Sequence, residues 1–154
     1  MHALERLSAW LDHTALSQIV KDNDWIVPTV QTIHILAIAV VFVSALMIDL
    51  RSIGLIATDQ TVERVSARFL PFVWWPLVVL AATGAVMIVG EPPRSLKNPV
   101  FQLKMVLVAA AVGVTFLHHL LARAHAGAAR AAAILSILLW TGIIFAGRWI
   151  AYYA

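Results

Sequence analysis

The apolar residues of this chain are gathered into four long stretches, each interrupted by only a few polar positions. The stretches cover about residues 25–50, 69–89, 99–121 and 131–153, close to the roughly 20 residues that a helix needs to cross a bilayer. The pattern therefore predicts an all-α integral membrane protein. Short links make consecutive spans antiparallel neighbours, so we expect one membrane domain over residues 1–154, folded as an up-down-up-down four-helix bundle.

Residues 3–20 show a different pattern, in which apolar and polar side chains alternate with a helical period. The apolar positions include Leu4, Leu7, Leu11 and Ile19. One apolar and one polar side predict an amphipathic helix lying in the membrane interface. Because the apolar positions are scattered rather than continuous, the segment is not typical of a secretory signal.

The composition agrees with a membrane protein. Hydrophobic residues make up 62% of the chain and charged residues 12%, with a mean hydropathy of +0.89. A net charge of +3 and a pI near 9.8 would suggest nucleic-acid binding in a soluble protein, but here Lys and Arg lie mostly at the span ends, where a bilayer requires them. The composition thus favours the lipid bilayer over nucleic acid as a partner. The absence of cysteine excludes disulfides, thiolate metal sites and covalently attached haem.

The basic residues outside the spans divide almost evenly between the two membrane surfaces. We call the surface on the side of the N-terminus side X and the opposite one side Y. Side X holds Arg6, Lys21, Arg94 and Lys97, and side Y holds Arg51, Arg64, Arg68, Arg123 and Arg130. Because cytoplasmic loops carry the excess of Lys and Arg, this distribution favours termini outside the cytoplasm.

Ionisable side chains within the spans are the main candidates for function, because uncompensated charge in hydrocarbon is costly. With about 1.5 Å of rise per residue, His34 lies roughly 13 Å below surface X and Lys104 roughly 8 Å below it. Gln31 stands one turn from His34, and Arg148 returns to a depth similar to that of Lys104. We therefore expect Gln31, His34, Lys104 and Arg148 to meet in the X half of the bundle.

An imidazole beside two cations suits an anionic cofactor. Haem carries two propionates that pair with Lys or Arg, while its iron takes a neutral histidine nitrogen. These residues predict non-covalent haem b, with His34 on the iron and Lys104 and Arg148 near the propionates. Structural roles compete with this interpretation: a carbonyl-bonded His34, a Lys104 that extends to the interface, and an Arg148 anchored there.

Two further histidines lie at the other end of the third span. His118 and His119 are roughly 28 Å below surface X, too far for either to share a compact metal site with His34. They are candidate metal ligands or contacts to lipid headgroups. Asp49 and Arg51, at the Y end of the first span, are interpreted as a helix-end charge pair rather than a proton relay.

Several motifs carry a family resemblance. The chain has Trp25-Ile-Val-Pro28 followed by His34, an exit at Asp49-Leu-Arg51-Ser-Ile-Gly54, and later Phe101-Gln-Leu-Lys104. These motifs resemble an uncharacterised group of small four-span bacterial membrane proteins. More distantly, the chain is similar to the HemJ-type protoporphyrinogen oxidases and the CopD copper-resistance group. The HemJ resemblance implies haem b bound by His34, with Lys104 and either His118 or His119 matching the third-span residues.

Three functions follow from these observations. The first is a haem b redox module in the bacterial inner membrane, which passes electrons between a periplasmic partner and quinone. The second is a HemJ-like porphyrinogen oxidase, and the third is a CopD-like copper-handling or structural subunit. Small residues such as Gly84 and Gly142 allow close packing within the bundle or in a homo-oligomer.

Overall fold

The computed structural model describes residues 2–121 and 126–152. Its helices are α1 (His2–Asp12), α2 (Ala15–Asp22), α3 (Ile26–Ile53), α4 (Val62–Phe69), α5 (Pro71–Gly90), α6 (Pro92–Leu96), α7 (Pro99–Leu121) and α8 (Ala126–Trp149), followed by a short 3₁₀ helix over Ile150–Tyr152. The all-α prediction is confirmed. Arg123 and Tyr153, which the sequence analysis placed at side Y and at the end of the last span, lie outside the described residues.

Four segments are long and apolar enough to cross a membrane: Ile26–Ile53, Val62–Gly90, Pro99–Leu121 and Ala126–Trp149. The chain is thus a multi-pass membrane protein in contact with lipid. The second segment is longer than its apolar run predicts, because the polar helix α4 leads almost directly into α5 at Leu70. Polar residues on α4 hid this extension from the hydropathy pattern.

The N-terminal region forms two short helices where the sequence predicted one over residues 3–20. The break is at Thr14, whose backbone is extended and whose hydroxyl accepts a hydrogen bond from the Ser17 N–H. A threonine in this geometry caps the start of a new helix. Lys21 then reaches back across the break to Asp12, with 2.6 Å between Nζ and Oδ1.

The two N-terminal helices pack on the X end of the bundle. Helix α1 contacts α6, and α2 contacts α5. The second contact is very close, because a Cβ built at Gly90 would lie 2.9 Å from Val20 Cγ1. Leu7, Trp10, Leu16 and Ile19 stay exposed on α1 and α2, as expected of helices whose apolar side faces an interface.

Helices α3 and α8 form the centre of the bundle, and α5 and α7 lie outside them. Helix α3 packs against α5 and α8, and α8 packs against α7, whereas the backbones of α5 and α7 scarcely meet. Side chains from all four helices still share one core, which consists of Val41, Ala45, Ile48, Val73, Ala111, Trp140 and Ile143.

Helix ends on both sides are held by specific contacts. On side X, the Asn98 carboxamide oxygen accepts from the Val100 N–H at 2.9 Å and so caps α7. On side Y, α3 ends at Gly54, whose φ of 90° needs a residue without a Cβ. Arg51 donates from Nε to the Gln60 carbonyl at 2.6 Å. The predicted charge pair between Asp49 and Arg51 is therefore wrong, since residues two apart on a helix point in different directions.

Candidate functional site

His34 is held at the interface between α3 and α5. Its Nδ1 lies 2.7 Å from the hydroxyl oxygen of Thr83, and its Cε1 lies 3.8 Å from the position of a Cβ at Gly84. Thr83 is buried and His34 is half-buried. The imidazole packs against α5 at Gly84, and the threonine fixes its orientation.

The bond from Thr83 also defines which nitrogen of His34 carries the hydrogen. The Thr83 hydroxyl donates to the Val79 carbonyl at 2.7 Å, and a hydroxyl has one hydrogen to give. It therefore accepts from His34 Nδ1–H. In this tautomer the Nε2 lone pair is available, which is the arrangement that histidine ligands of metals adopt when the other ring nitrogen is hydrogen-bonded.

Lys104 approaches the same region from α7. Its Nζ lies 3.6 Å, and its Cε 3.8 Å, from the position of a Cβ at Gly147 on α8, so the lysine side chain packs against α8 at this glycine. The Lys104 charge is close enough to act on His34. The convergence of His34 and Lys104 on one ligand stays a prediction.

The other two predicted residues lie elsewhere. Gln31 is exposed on α3. Arg148 is also exposed and turns to Tyr152, donating to its hydroxyl at 3.2 Å with the guanidinium carbon 5.4 Å from the ring centroid. Its depth matches the prediction, but its direction around α8 is that of an interface anchor.

An apolar groove lies beside His34 on the outer face of α3 and α5. It has a volume of about 370 Å³ and is lined by Ile33, Leu36, Ala37, Val40, Trp75, Pro76 and Val79. Ile33 is the neighbour of His34, and Val79 is one turn from Thr83 on α5. The groove therefore forms a shallow apolar surface next to the histidine.

A second polar cluster occupies the Y half of the bundle. Asp49 and His118 are only 3% and 2% exposed, and their Oδ1 and Nδ1 atoms are 3.6 Å apart. This distance suits an ion pair but is long for a hydrogen bond. Ser136 on α8 lies near the Asp49 carboxylate without forming a hydrogen bond of good geometry.

Several atoms of this cluster are buried without a partner. They are Asp49 Oδ2, His118 Nε2 and Ser136 Oγ. A small cavity of about 10 Å³ touches both Asp49 and His118, which is room for about one water molecule. Thr115, Ser66 and the half-buried His119 also line the cavity.

The described residues contain no group of three or more His, Cys, Asp or Glu arranged to hold a metal ion. His118 faces Asp49, and His119 borders the same cavity from the next position of α7. The proposed ligand role of these two histidines therefore stays a prediction. His125 lies outside the described residues.

A comparison with protein families gives one match. The model of a family of unknown function, DUF6644, covers residues 7–153. The chain belongs to the DUF6644 family. No curated protein and no solved structure matches this DUF6644 chain.

The sequence analysis missed the Asp49–His118 pair of this DUF6644 protein. A signal for it was present in the spacing of residues. Val41, Ala45 and Asp49 recur every four positions on α3, and the two apolar members are buried. On α7, Ala111, Thr115 and His118 form a matching buried stripe. Two stripes of small residues that each end in a titratable group predict that the two groups face each other.

Proposed function

We propose that this DUF6644 protein is a membrane-embedded haem b protein that transfers electrons. The observation that carries the proposal is the hydrogen bond from His34 Nδ1 to Thr83, because it directs the Nε2 lone pair away from the protein partner. A half-buried imidazole with a fixed tautomer inside a membrane span is by default a candidate functional site.

The residues present fit haem b in chemical type. His34 would bind the iron, Lys104 would form an ion pair with a propionate, and the apolar groove beside Ile33 would cover part of the macrocycle. Arg148 and Gln31 are not needed for this fit. Bound haem would supply a one-electron centre whose potential depends on its ligands and on the polarity around it.

The protein's own contribution is orientation and shielding. Thr83 keeps His34 from rotating and holds its hydrogen on Nδ1. Lys104 supplies positive charge in a setting where hydrocarbon raises the strength of every electrostatic interaction. The bilayer and the surrounding apolar side chains exclude water from the imidazole.

The motifs that resemble HemJ-type and CopD proteins agree with the same cofactor or with a copper-related role, and no curated protein matches the chain. A location in the bacterial inner membrane, with periplasmic termini and exchange of electrons between a periplasmic protein and quinone, belongs to the proposal. Porphyrinogen oxidation needs space for a second tetrapyrrole, so electron transfer is the simpler activity for a bundle of this size.

The experiment is an optical spectrum of the purified full-length protein from haem-replete cells, oxidised and reduced. We expect a Soret band that shifts on reduction and that is lost in His34→Ala. The matched control is His13→Ala, because His13 is exposed between α1 and α2. A wild-type protein without the band, or a His34→Ala protein that keeps it unchanged, would overturn the proposal.

A further inference from the structure

The pair of Asp49 and His118 is separate from the proposed haem site. Asp49 follows His34 by fifteen positions on α3, which is about 22 Å along the helix axis. It also lies within about two turns of the Y end of α3, as His118 does on α7. The pair therefore lies near side Y and is not in contact with His34.

The helices around the pair are α3, α4, α7 and α8, and the polar groups that face it carry little charge. Helix α4 contributes Ser66, α7 contributes Thr115 and His119, and α8 contributes Ser136. The nearby cations of these helices point elsewhere: Arg51 binds the Gln60 carbonyl, and Arg64, Arg68 and Arg130 are exposed. Among the described residues, the charges that the cavity meets are those of Asp49, His118 and His119.

This setting makes the number of protons on the pair decisive. With no proton bound, the pair would be an ionised carboxylate beside a neutral imidazole, a net negative charge that burial strongly disfavours. With two protons bound, it would be a buried cation without compensation. One proton makes the pair neutral, whether it resides on the imidazole or on the carboxyl group.

The unpartnered atoms of the pair indicate that the site also binds a water molecule. Asp49 Oδ2 and His118 Nε2 each lack a hydrogen-bond partner, and the cavity touching both residues holds about one water molecule. A water molecule has two hydrogens to donate and accepts in turn, so it satisfies a carboxylate and an imidazole together.

We propose that Asp49 and His118 form a proton-binding site that holds one proton and one water molecule and exchanges that proton with side Y past His119. The proton comes from bulk water on side Y and returns there. Half-buried His119 is the one titratable side chain of the cavity lining with exposed surface, and it marks the path.

The test is a proton count by NMR on full-length protein in lipid nanodiscs, with labelled histidine ring nitrogens and aspartate carboxyl carbons. Signals are assigned by their loss in His118→Gln and Asp49→Asn. We expect the pair to carry one proton in total across about two pH units around neutrality, the range in which a solvent-exposed imidazole ordinarily loses its proton. Zero or two protons on the pair at neutral pH would overturn the proposal.

A second measurement separates proton binding from a purely structural contact. In Asp49→Asn the amide cannot compensate an imidazolium, so we expect His118 to be neutral throughout the range. A His118 that carries the proton in wild type and still carries it in folded Asp49→Asn protein would refute a shared proton. In His119→Leu the equilibrium count should stay at one while solvent exchange of the His118 ring hydrogen slows; unchanged exchange would refute the path past His119.

Discussion

The imidazole of His34 donates from Nδ1 to the hydroxyl of Thr83, 2.7 Å away on the neighbouring helix, and the Thr83 hydroxyl donates to the Val79 carbonyl. This chain of two bonds links a residue of α3 to the backbone of α5. It means that the chemistry available at His34 Nε2 is set by a residue 49 positions away in the sequence.

Replacing Thr83 should therefore weaken the haem binding that we propose for His34. Loss of a hydrogen bond to a ligating histidine costs about 10–100-fold in metal affinity, so we expect Thr83→Val to retain haem about that much less tightly. Thr83→Ser keeps the hydroxyl and should behave as wild type. Haem transfer to a competing apoprotein measures the difference, and equal retention by the valine and serine variants would contradict this role of the hydroxyl.

The size of the side chain at position 147 should affect stability through its contact with Lys104. A methyl group there would make an ordinary contact with Lys104 Nζ at 3.6 Å, so Gly147→Ala should be tolerated. Gly147→Leu should cost about 1–3 kcal/mol of unfolding free energy by overpacking. Thermal unfolding in one detergent measures both. Adding Lys104→Ala to Gly147→Leu should restore much of the loss, and no recovery would place the clash elsewhere.

Gly90 should control how the N-terminal helices dock. Its Cβ position lies 2.9 Å from Val20 Cγ1, so Gly90→Ala forces α2 away from α5 or shifts its side chain. We expect faster trypsin cleavage after Lys21, which lies at the end of α2. The double variant Gly90→Ala with Val20→Ala removes the clash and should return cleavage to the wild-type rate. Unchanged cleavage in Gly90→Ala would show that α2 adjusts without undocking.

Breaking the buried pair should be more damaging than deleting it. Removing one partner of a buried charged pair costs about 3–5 kcal/mol, so Asp49→Leu and His118→Leu should each lower the unfolding midpoint strongly. Their combination leaves no uncompensated group and should recover a large part of that loss. Strictly additive effects in this double-mutant cycle would mean that the two residues do not interact.

The contact between Lys21 and Asp12, across the helix break at Thr14, should make the stability of the folded protein depend on pH. Lys21 donates to Asp12 and lowers the pKa of Asp12 below its ordinary value of 3.8. A lowered carboxyl pKa stabilises the folded state above the ordinary pKa, and this contribution is lost as the pH falls through the folded-state value. In Lys21→Gln the Asp12 pKa should rise towards 3.8, as NMR titration would show; an unchanged pKa would exclude Lys21 as the cause.

The sequence predicted the number, order and approximate ends of the spans, because crossing a bilayer demands a length and an apolarity that are visible in one dimension. It also placed His34 and Lys104 in the same half of the bundle, which stays a prediction. Direction around a helix axis depends on partners that hydropathy does not reveal. For this reason Arg148 was placed at the right height but turns to Tyr152, and Asp49 was interpreted as part of a helix end although it faces His118 across the core.

The scarce contact between α5 and α7 divides the bundle into two helical hairpins, α3 with α5 and α7 with α8, joined along the seam between α3 and α8. Each hairpin has its own helix–helix contacts, whereas the core shared by all four helices forms only along the seam. Asn98 caps α7 and also donates from Nδ2 to the Ile150 carbonyl at 3.4 Å. This bond joins the start of α7 to the end of α8, opposite the turn of the second hairpin. The His34–Thr83 bond thus belongs to one hairpin alone, whereas the Asp49–His118 pair exists only when the two hairpins are joined.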